Sequence, residues 1–266
     1  MLQVAWIHVA PVKGMAVLDQ SQAELGPLGV PFDRSFALID GTRRVINGKK
    51  WGAMCAIAAS YEPDPDVLTI TFVNGGRISA RVRPGRGVTV LVHGRPAQAR
   101  IVPGPWDRVL SAEFGSLLRL IRFDSPPEGL DRADRLGTVT LISQASIDAF
   151  SRVAGQVVDP RRFRMLLGIG GALPFEEDGW IGRRVRVGQA VVVLHGHVGR
   201  CAVTTFNPTN GERDLDTLRI LSTWRPGTGS TERLPLGVWG SVQSPGVVRV
   251  GDPVEPFADD GRLEPS

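Results

Sequence analysis

The chain has 266 residues, 42% of them apolar and 22% charged, with a net charge of +4. This is an ordinary balance for a globular protein large enough for one big or two modest domains. No apolar run approaches the roughly 20 residues of a membrane span, and Met1–Ile7 lacks the basic start and small-residue cleavage site of a secretory signal. Two cysteines, Cys55 and Cys201, make no disulfide framework, so the expected setting is the reducing cytoplasm.

Many glycines, prolines and short apolar runs favour strands over helices. Val4–Val9 reads as the first strand. Pro11-Val12-Lys13-Gly14 follows it, and a lysine at a strand end before a glycine can reach a phosphate while backbone amides close around it. From those residues alone a solvated turn lysine is the stronger reading. Asp33-Arg34 precedes a second strand, Ser35–Asp40, and a structural ion pair is the competing reading there. Val67–Val73 and Val88–Val92 are further strands. Val109, Leu110, Phe114, Leu117 and Leu118 recur at helical spacing and predict a helix over about Arg108–Arg119. Pro126-Pro127-Glu128-Gly129, continuing through a charged run to Arg135, reads as the linker. It divides the chain into 1–125 and 126–266.

Beyond the linker, Thr138–Ile142 reads as a strand and Gln144–Ala154 as a helix, with Ser143 as N-cap and Gly155 as the stop. Asp159-Pro160-Arg161-Arg162-Phe163-Arg164 packs three arginines around one aromatic, a natural grip for an oxyanion or else a basic surface turn. Glu176-Glu177-Asp178 reads as a solvated acidic turn before Arg183–Val187. After the strand Ala190–Leu194 come His195 and His197, which resemble a metal pair but have no obvious third ligand. Arg200-Cys201 sits where this run meets the turn-forming Asn207-Pro208-Thr209-Asn210-Gly211. A thiol beside a fixed cation is a place for a stabilised thiolate, as a soft metal or sulfur transfer requires; a small buried hydrophobe is the competing reading. Leu215–Thr223 predicts a third helix capped by Asp214, and Val247–Val250 a last strand.

The strand spacing suits barrels or sandwiches rather than a doubly wound sheet. The class expected is mainly β (α+β), with two β-barrel-like domains and a few flanking helices. No Walker loop, dinucleotide fingerprint or Gly-x-Ser-x-Gly elbow is present, so phosphoryl transfer, dinucleotide binding and serine hydrolysis lack support. Only three of the 31 basic residues are lysine, which leaves any anion contact mainly to guanidinium groups. The arginines are spread along the chain without interleaved aromatics, so neither nucleic acid nor membrane is expected as a partner.

The order of these segments is more specific than any one of them. Pro11-Val12-Lys13-Gly14, Asp33-Arg34, Leu141–Ser146, Arg162-Phe163-Arg164, Gly179-Trp180-Ile181-Gly182, Arg200-Cys201-Ala202-Val203-Thr204-Thr205 and Val250–Val254 together resemble the MOSC family across about residues 1–256. The first part resembles that family's N-terminal β-barrel domain and the second its MOSC domain. The family includes amidoxime-reducing enzymes and bacterial reductases of N-hydroxylated bases.

The resemblance implies binding of a molybdenum cofactor, a molybdopterin, with Cys201 as the protein ligand to the metal and the catalytic position. It implies that Lys13, Gly14 and Arg34 meet the pterin phosphate, and that Arg164 and Arg200 line the cofactor site. The implied activity is an oxidoreductase acting on small N-hydroxylated compounds. Two cysteines cannot hold an iron–sulfur cluster, so electrons would come from a separate donor protein. A sulfur carrier or transferase with a Cys201 persulfide, and a cofactor-binding module without turnover, are the alternatives. Arg164-Met165-Leu166 stands where the amidoxime-reducing pattern has Arg-Pro-Asn, Gly199 and Gly14 where it has serine, and Trp239 where it has tyrosine.

Overall fold

The computed structural model describes residues 1–46, 48–49, 51–125, 138–225 and 228–258. Its first part contains strands β1 (Gln3–Val9), β2 (Leu18–Gln20), β3 (Gln22–Leu25), β4 (Phe36–Ile39), β5 (Ala58–Glu62), β6 (Val67–Thr71), β7 (Arg77–Arg81), β8 (Gly87–Val92) and β9 (Arg95–Ile101). Helix α1 (Pro105–Phe114) and strand β10 (Arg119–Phe123) follow. After these come β11 (Thr138–Ser143), α2 (Gln144–Ala154), β12 (Leu167–Gly170), β13 (Arg184–Val187) and β14 (Ala190–Gly199). The last elements are α3 (Thr217–Trp224), β15 (Pro235–Ser244), β16 (Gly246–Arg249) and β17 (Val254–Pro256). The mainly β, α+β class holds. The linker expected at 126–135 lies outside the described residues.

One sheet has eight strands in the order β17-β13-β14-β15-β11-β12-β1-β2. Every pair in it is antiparallel except β11–β12, which α2 connects as a crossover helix. The first strand of the chain is thereby hydrogen-bonded into a sheet made mostly of strands beyond residue 138. Smaller sheets have the orders β4-β10-β9-β8, β5-β6-β7 and β16-β3.

None of these sheets closes into a barrel. The two sides of the large sheet approach each other through a single bridge between Gln3 and Pro253. Backbone bonds reinforce it, from Val4 N–H to Asp252 O (2.9 Å) and from Val254 N–H to Leu2 O (3.0 Å). The chain turns at Gly251 and Asp252 just there, so a continuous ladder cannot form. Ile7, Leu141, Leu167, Val192 and Val238 are fully buried along the large sheet, each contributing roughly 1.5–3 kcal/mol by leaving water. A second core of Phe36, Leu38, Met54, Leu68, Ile70 and Trp106 joins the smaller sheets to α1.

Helix ends follow local chemistry. Ser143 accepts the Ser146 N–H at the start of α2, and Gly155, in a left-handed conformation, ends it. Helix α1 begins earlier than the apolar spacing predicted, with Pro105 in its first turn, and Gly115 (φ 58°) stops it. Leu117 and Leu118 therefore fall beyond the helix, and Arg119 opens β10. Helix α3 is capped by Asp216, which accepts the Arg219 N–H, in place of Asp214. Asp214 instead ion-pairs with Arg162 at 2.8 Å and accepts from Asn207.

The turn Glu176–Asp178 is not solvated as its composition suggested. Glu177 is fully buried beside the start of α2, where Ser146 Oγ donates to its Oε1 (2.8 Å). Burial pushes its carboxyl above the ordinary glutamate range, against the hydrogen bonds from Ser146, Ser143 and backbone amides. The native state therefore keeps the proton over a window in which the unfolded chain has lost it. Below the ordinary glutamate pKa the burial imposes no penalty, and stability falls as pH rises from there towards the native pKa. Glu177→Gln should remove that slope. Denaturant midpoints measured across pH would then shift in favour of the variant as pH rises, and a difference independent of pH would contradict the assignment.

Candidate functional site

Strand β1 delivers the chain to Ala10–Met15. Lys13 N–H donates to Phe36 O (2.8 Å) and Phe36 N–H to Pro11 O (3.0 Å), which ties this loop to the start of β4. The Lys13 side chain is buried (8% exposed). Gly14 has φ 86°, and a Cβ there would lie 2.9 Å from Met54 Cε, so both conformation and space call for glycine.

Asp33 and Arg34 enter the same region from the turn just before β4. The Asp33 carboxylate accepts the Ala10 N–H (2.8 Å) and pairs with the Arg34 guanidinium. Phe32 (φ 64°) and Arg34 (φ 52°) both adopt left-handed conformations, at a cost of roughly 1–2 kcal/mol each, which these contacts must offset. Arg34 Nη2 reaches the carbonyl of Arg164 (3.2 Å), and Arg164 Nη1 in turn donates to Met15 O (2.7 Å). Lys13, Gly14, Arg34 and Arg164 thus belong to one interlocked set of loops.

The loop that returns from α2 to β12 is the hub. Each of its arginines has a protein partner, and Arg162 is buried, so the run is more than a simple basic surface turn. Arg161 forms a fork on Asp159 (Nε to Oδ1, 3.0 Å). Burial works against the Asp159 charge, but the hydrogen bonds from Arg161 outweigh it and hold the carboxyl below the usual range. Arg162 is buried, pairs with Asp214 and donates to Thr204 O (3.4 Å).

Arg200 is buried as well. Its guanidinium donates to Phe163 O (2.9 Å), to Met165 Sδ (2.9 Å) and to Leu236 O, with Cζ 5.5 Å from the Phe163 ring. These bonds clamp the end of β14 between the hub and β15.

Cys201 follows the clamp and is half-buried. The two threonines of Arg-Cys-x-x-Thr-Thr shape a 3-10 turn over Ala202–Thr205 around it. Thr204 Oγ1 donates to Cys201 O (2.9 Å), Thr205 Oγ1 donates to Ala202 O (2.7 Å), and Thr204 also meets Thr217 Oγ1 (2.6 Å). Val203 brings this turn to the lysine loop through Gly48, whose Cβ would lie 3.0 Å from Val203 Cγ2 and 3.7 Å from Gly14 O.

The sequence did not point to residues 48–56. Gly52 and Ala53 pack tightly against Phe206 and Gly211, and Cys55 Sγ bonds to Asn207 O (3.4 Å). Cys55 therefore lies against the segment that follows Cys201. Burial pushes the Cys55 thiol up in spite of the Arg164 and Arg162 guanidiniums, as for a structural buried cysteine. The two histidines go separate ways. A bulge at Leu194–Gly196 lets His195 bond Ser241 Oγ (2.7 Å), while His197 faces Asp178 at 3.5 Å. Among the described residues no group of three His, Cys, Asp or Glu side chains is arranged to hold a metal ion.

Residues 135–255 match the MOSC domain and residues 1–104 the MOSC N-terminal beta barrel domain. The chain belongs to the MOSC family. This MOSC protein is 25% identical over 282 residues to mitochondrial amidoxime-reducing component 1 of Xenopus laevis, covering 94% of this chain and 81% of that one. It is 24% identical over 281 residues to the Mus musculus protein of the same name, again covering 94% and 81%. Molybdenum cofactor sulfurase of Drosophila grimshawi matches at 24% over 237 residues, 83% of this chain and 30% of that protein. Among solved structures, the YUAD protein from Bacillus subtilis aligns over 97% of this chain and 98% of its own at 10% identity, with a TM-score of 0.45. No helix among the described residues is long and apolar enough to cross a membrane.

Proposed function

We propose that this MOSC protein holds a molybdenum cofactor between the lysine loop and the Cys201 turn and reduces small N-hydroxylated compounds. The observation that supports this reading is the meeting of the two loops at Gly48, against which pack Val203, two residues after the half-buried Cys201, and the carbonyl of the left-handed Gly14, next to the buried Lys13. That donor set fits a metal-bearing, phosphate-bearing group. A thiolate suits the metal, while an ammonium and the amides of a glycine turn suit a phosphate.

Cys201 would be the metal ligand, Lys13, Gly14 and Arg34 would meet the phosphate, and Arg164 would hold the loops together around it. When bound, the cofactor supplies a two-electron centre for removing oxygen from N-hydroxylated substrates. Arg200 positions the neighbouring Cys201 by anchoring to the Phe163 and Leu236 carbonyls, and the Thr204 hydroxyl donates to the Cys201 carbonyl. Electrons come from a separate donor protein in this reading. A persulfide on Cys201, by the likeness to molybdenum cofactor sulfurase, is the second reading.

Two measurements separate these readings: molybdenum content after production in a cofactor-competent host, and turnover of an aryl amidoxime with a chemical reductant. Metal together with turnover supports the reductase, whereas metal-free protein with cyanide-labile sulfur on Cys201 supports sulfur transfer. Lys13→Ala should weaken cofactor retention by about 10–100-fold, the value of a hydrogen bond to a charged group. The metal content of that variant should recover with excess cofactor, because the thiol ligand is intact. Unchanged retention on dilution would remove Lys13 from the phosphate site.

A further inference from the structure

We propose that Arg122 is a positioning residue for the anion-holding pair Lys13 and Arg34, acting through an aromatic cage. The inference rests on the reading of that pair as the phosphate grip. Arg122 lies on β10 opposite Phe36 of β4. Its Cζ sits 6.0 Å from the Phe32 ring centroid, 5.6 Å from Phe36 and 5.5 Å from Tyr61. The rings also contact one another edge to face, with Tyr61 5.1 Å from both Phe32 and Phe36. Asp66 closes the cage by accepting from Tyr61 OH (2.6 Å) and facing Arg122 Nη1 at 3.5 Å. Burial and the bond to Asp66 push the Tyr61 phenol up to about 12, so it remains a neutral donor at working pH.

The cage stands under both arms of the grip. Phe32 is two residues before Arg34, and its left-handed backbone sets the direction in which Asp33 and Arg34 leave the turn. Phe36 accepts the Lys13 N–H on its own carbonyl. A cation held by the faces of both rings therefore braces the Phe32–Phe36 segment, which Asp33 and backbone bonds tie directly to the Ala10–Met15 loop. Arg122 is not a core-packing residue alone, since its side chain is 27% exposed.

The test is the affinity of the protein for inorganic phosphate, measured by calorimetry, in wild type, Arg122→Gln, Arg122→Lys, Phe32→Ala and Lys13→Ala, alongside unfolding midpoints. Arg122→Gln and Phe32→Ala should each weaken phosphate binding by about tenfold while the midpoints stay close to wild type. Arg122→Lys should recover most of the affinity, because a lysine keeps the cation over the rings. Folded Arg122→Gln protein that binds phosphate like wild type would reduce Arg122 to a stability role and overturn the proposal. Should Arg122→Gln fail to fold, Phe32→Ala decides, since that ring is 37% exposed and its loss leaves the core in place. If Lys13→Ala leaves phosphate binding unchanged, the phosphate-grip reading itself fails and this inference falls with it. If only the Arg122 and Phe32 variants are silent, the grip stands and this inference alone falls.

Discussion

Cys201→Ser is expected to abolish molybdenum content while leaving the protein folded. The side chain is half-buried, and the hydrogen bonds of its turn run through its carbonyl and through the threonine hydroxyls. None of those bonds involves the sulfur, so the change should fall within about 0.5 kcal/mol of wild-type stability, as for most substitutions away from a packed core. A serine hydroxyl is a far poorer ligand for a soft metal than a thiolate. The measurement is metal analysis of protein from a cofactor-competent host, with a denaturation curve on the same sample. Cys55→Ser is the matched control. That thiol is buried and donates to the Asn207 carbonyl, a role a hydroxyl can fill, and metal should be retained. Metal lost from the Cys55 variant and kept in the Cys201 variant would reverse the assignment of the two thiols.

Arg200→Ala should have the largest effect on stability. Removing the guanidinium strips charged donors from the Phe163 and Leu236 carbonyls and leaves them buried without that partner. The expected cost is about 3–5 kcal/mol, from two or more lost charge-assisted bonds and the cavity left behind. In a chain of this size that corresponds to a fall of roughly 5–10 °C in Tm. The end of β14 should also loosen from the hub, so any metal held by Cys201 would be lost with it. A variant that melts like wild type yet lacks the cofactor would instead make Arg200 a direct cofactor contact.

Capping and periodicity were readable where the decisive contacts are a few residues apart. Ser143 caps α2 and Gly155 ends it because a side-chain oxygen and a left-handed backbone act within one turn. The expected strands at Val4–Val9, Val88–Val92 and Ala190–Leu194 all recur within strands of the structure, since their apolar runs are long enough to need burial. Helix α1 was misplaced because Leu117 and Leu118 continue the helical spacing after Gly115 has already stopped it. Asp214 and Asp216 are equivalent as local cap signals. Arg162, far away in the chain, claims the first and leaves the second to the helix.

For the site, the chain itself determined the candidate chemistry: a cysteine beside an arginine, a lysine before a glycine, and arginines in ordered segments. The tertiary structure alone decided how those groups are used. Arg200 bonds the Phe163 and Leu236 carbonyls, Arg34 and Arg164 bond backbone of other loops besides any ligand, and Glu177 is a buried carboxyl in place of a solvated one. The physical reason is that a guanidinium or carboxyl is defined by its partners and its burial. Here most of those partners are carbonyls and hydroxyls dozens of residues away, which no local pattern records.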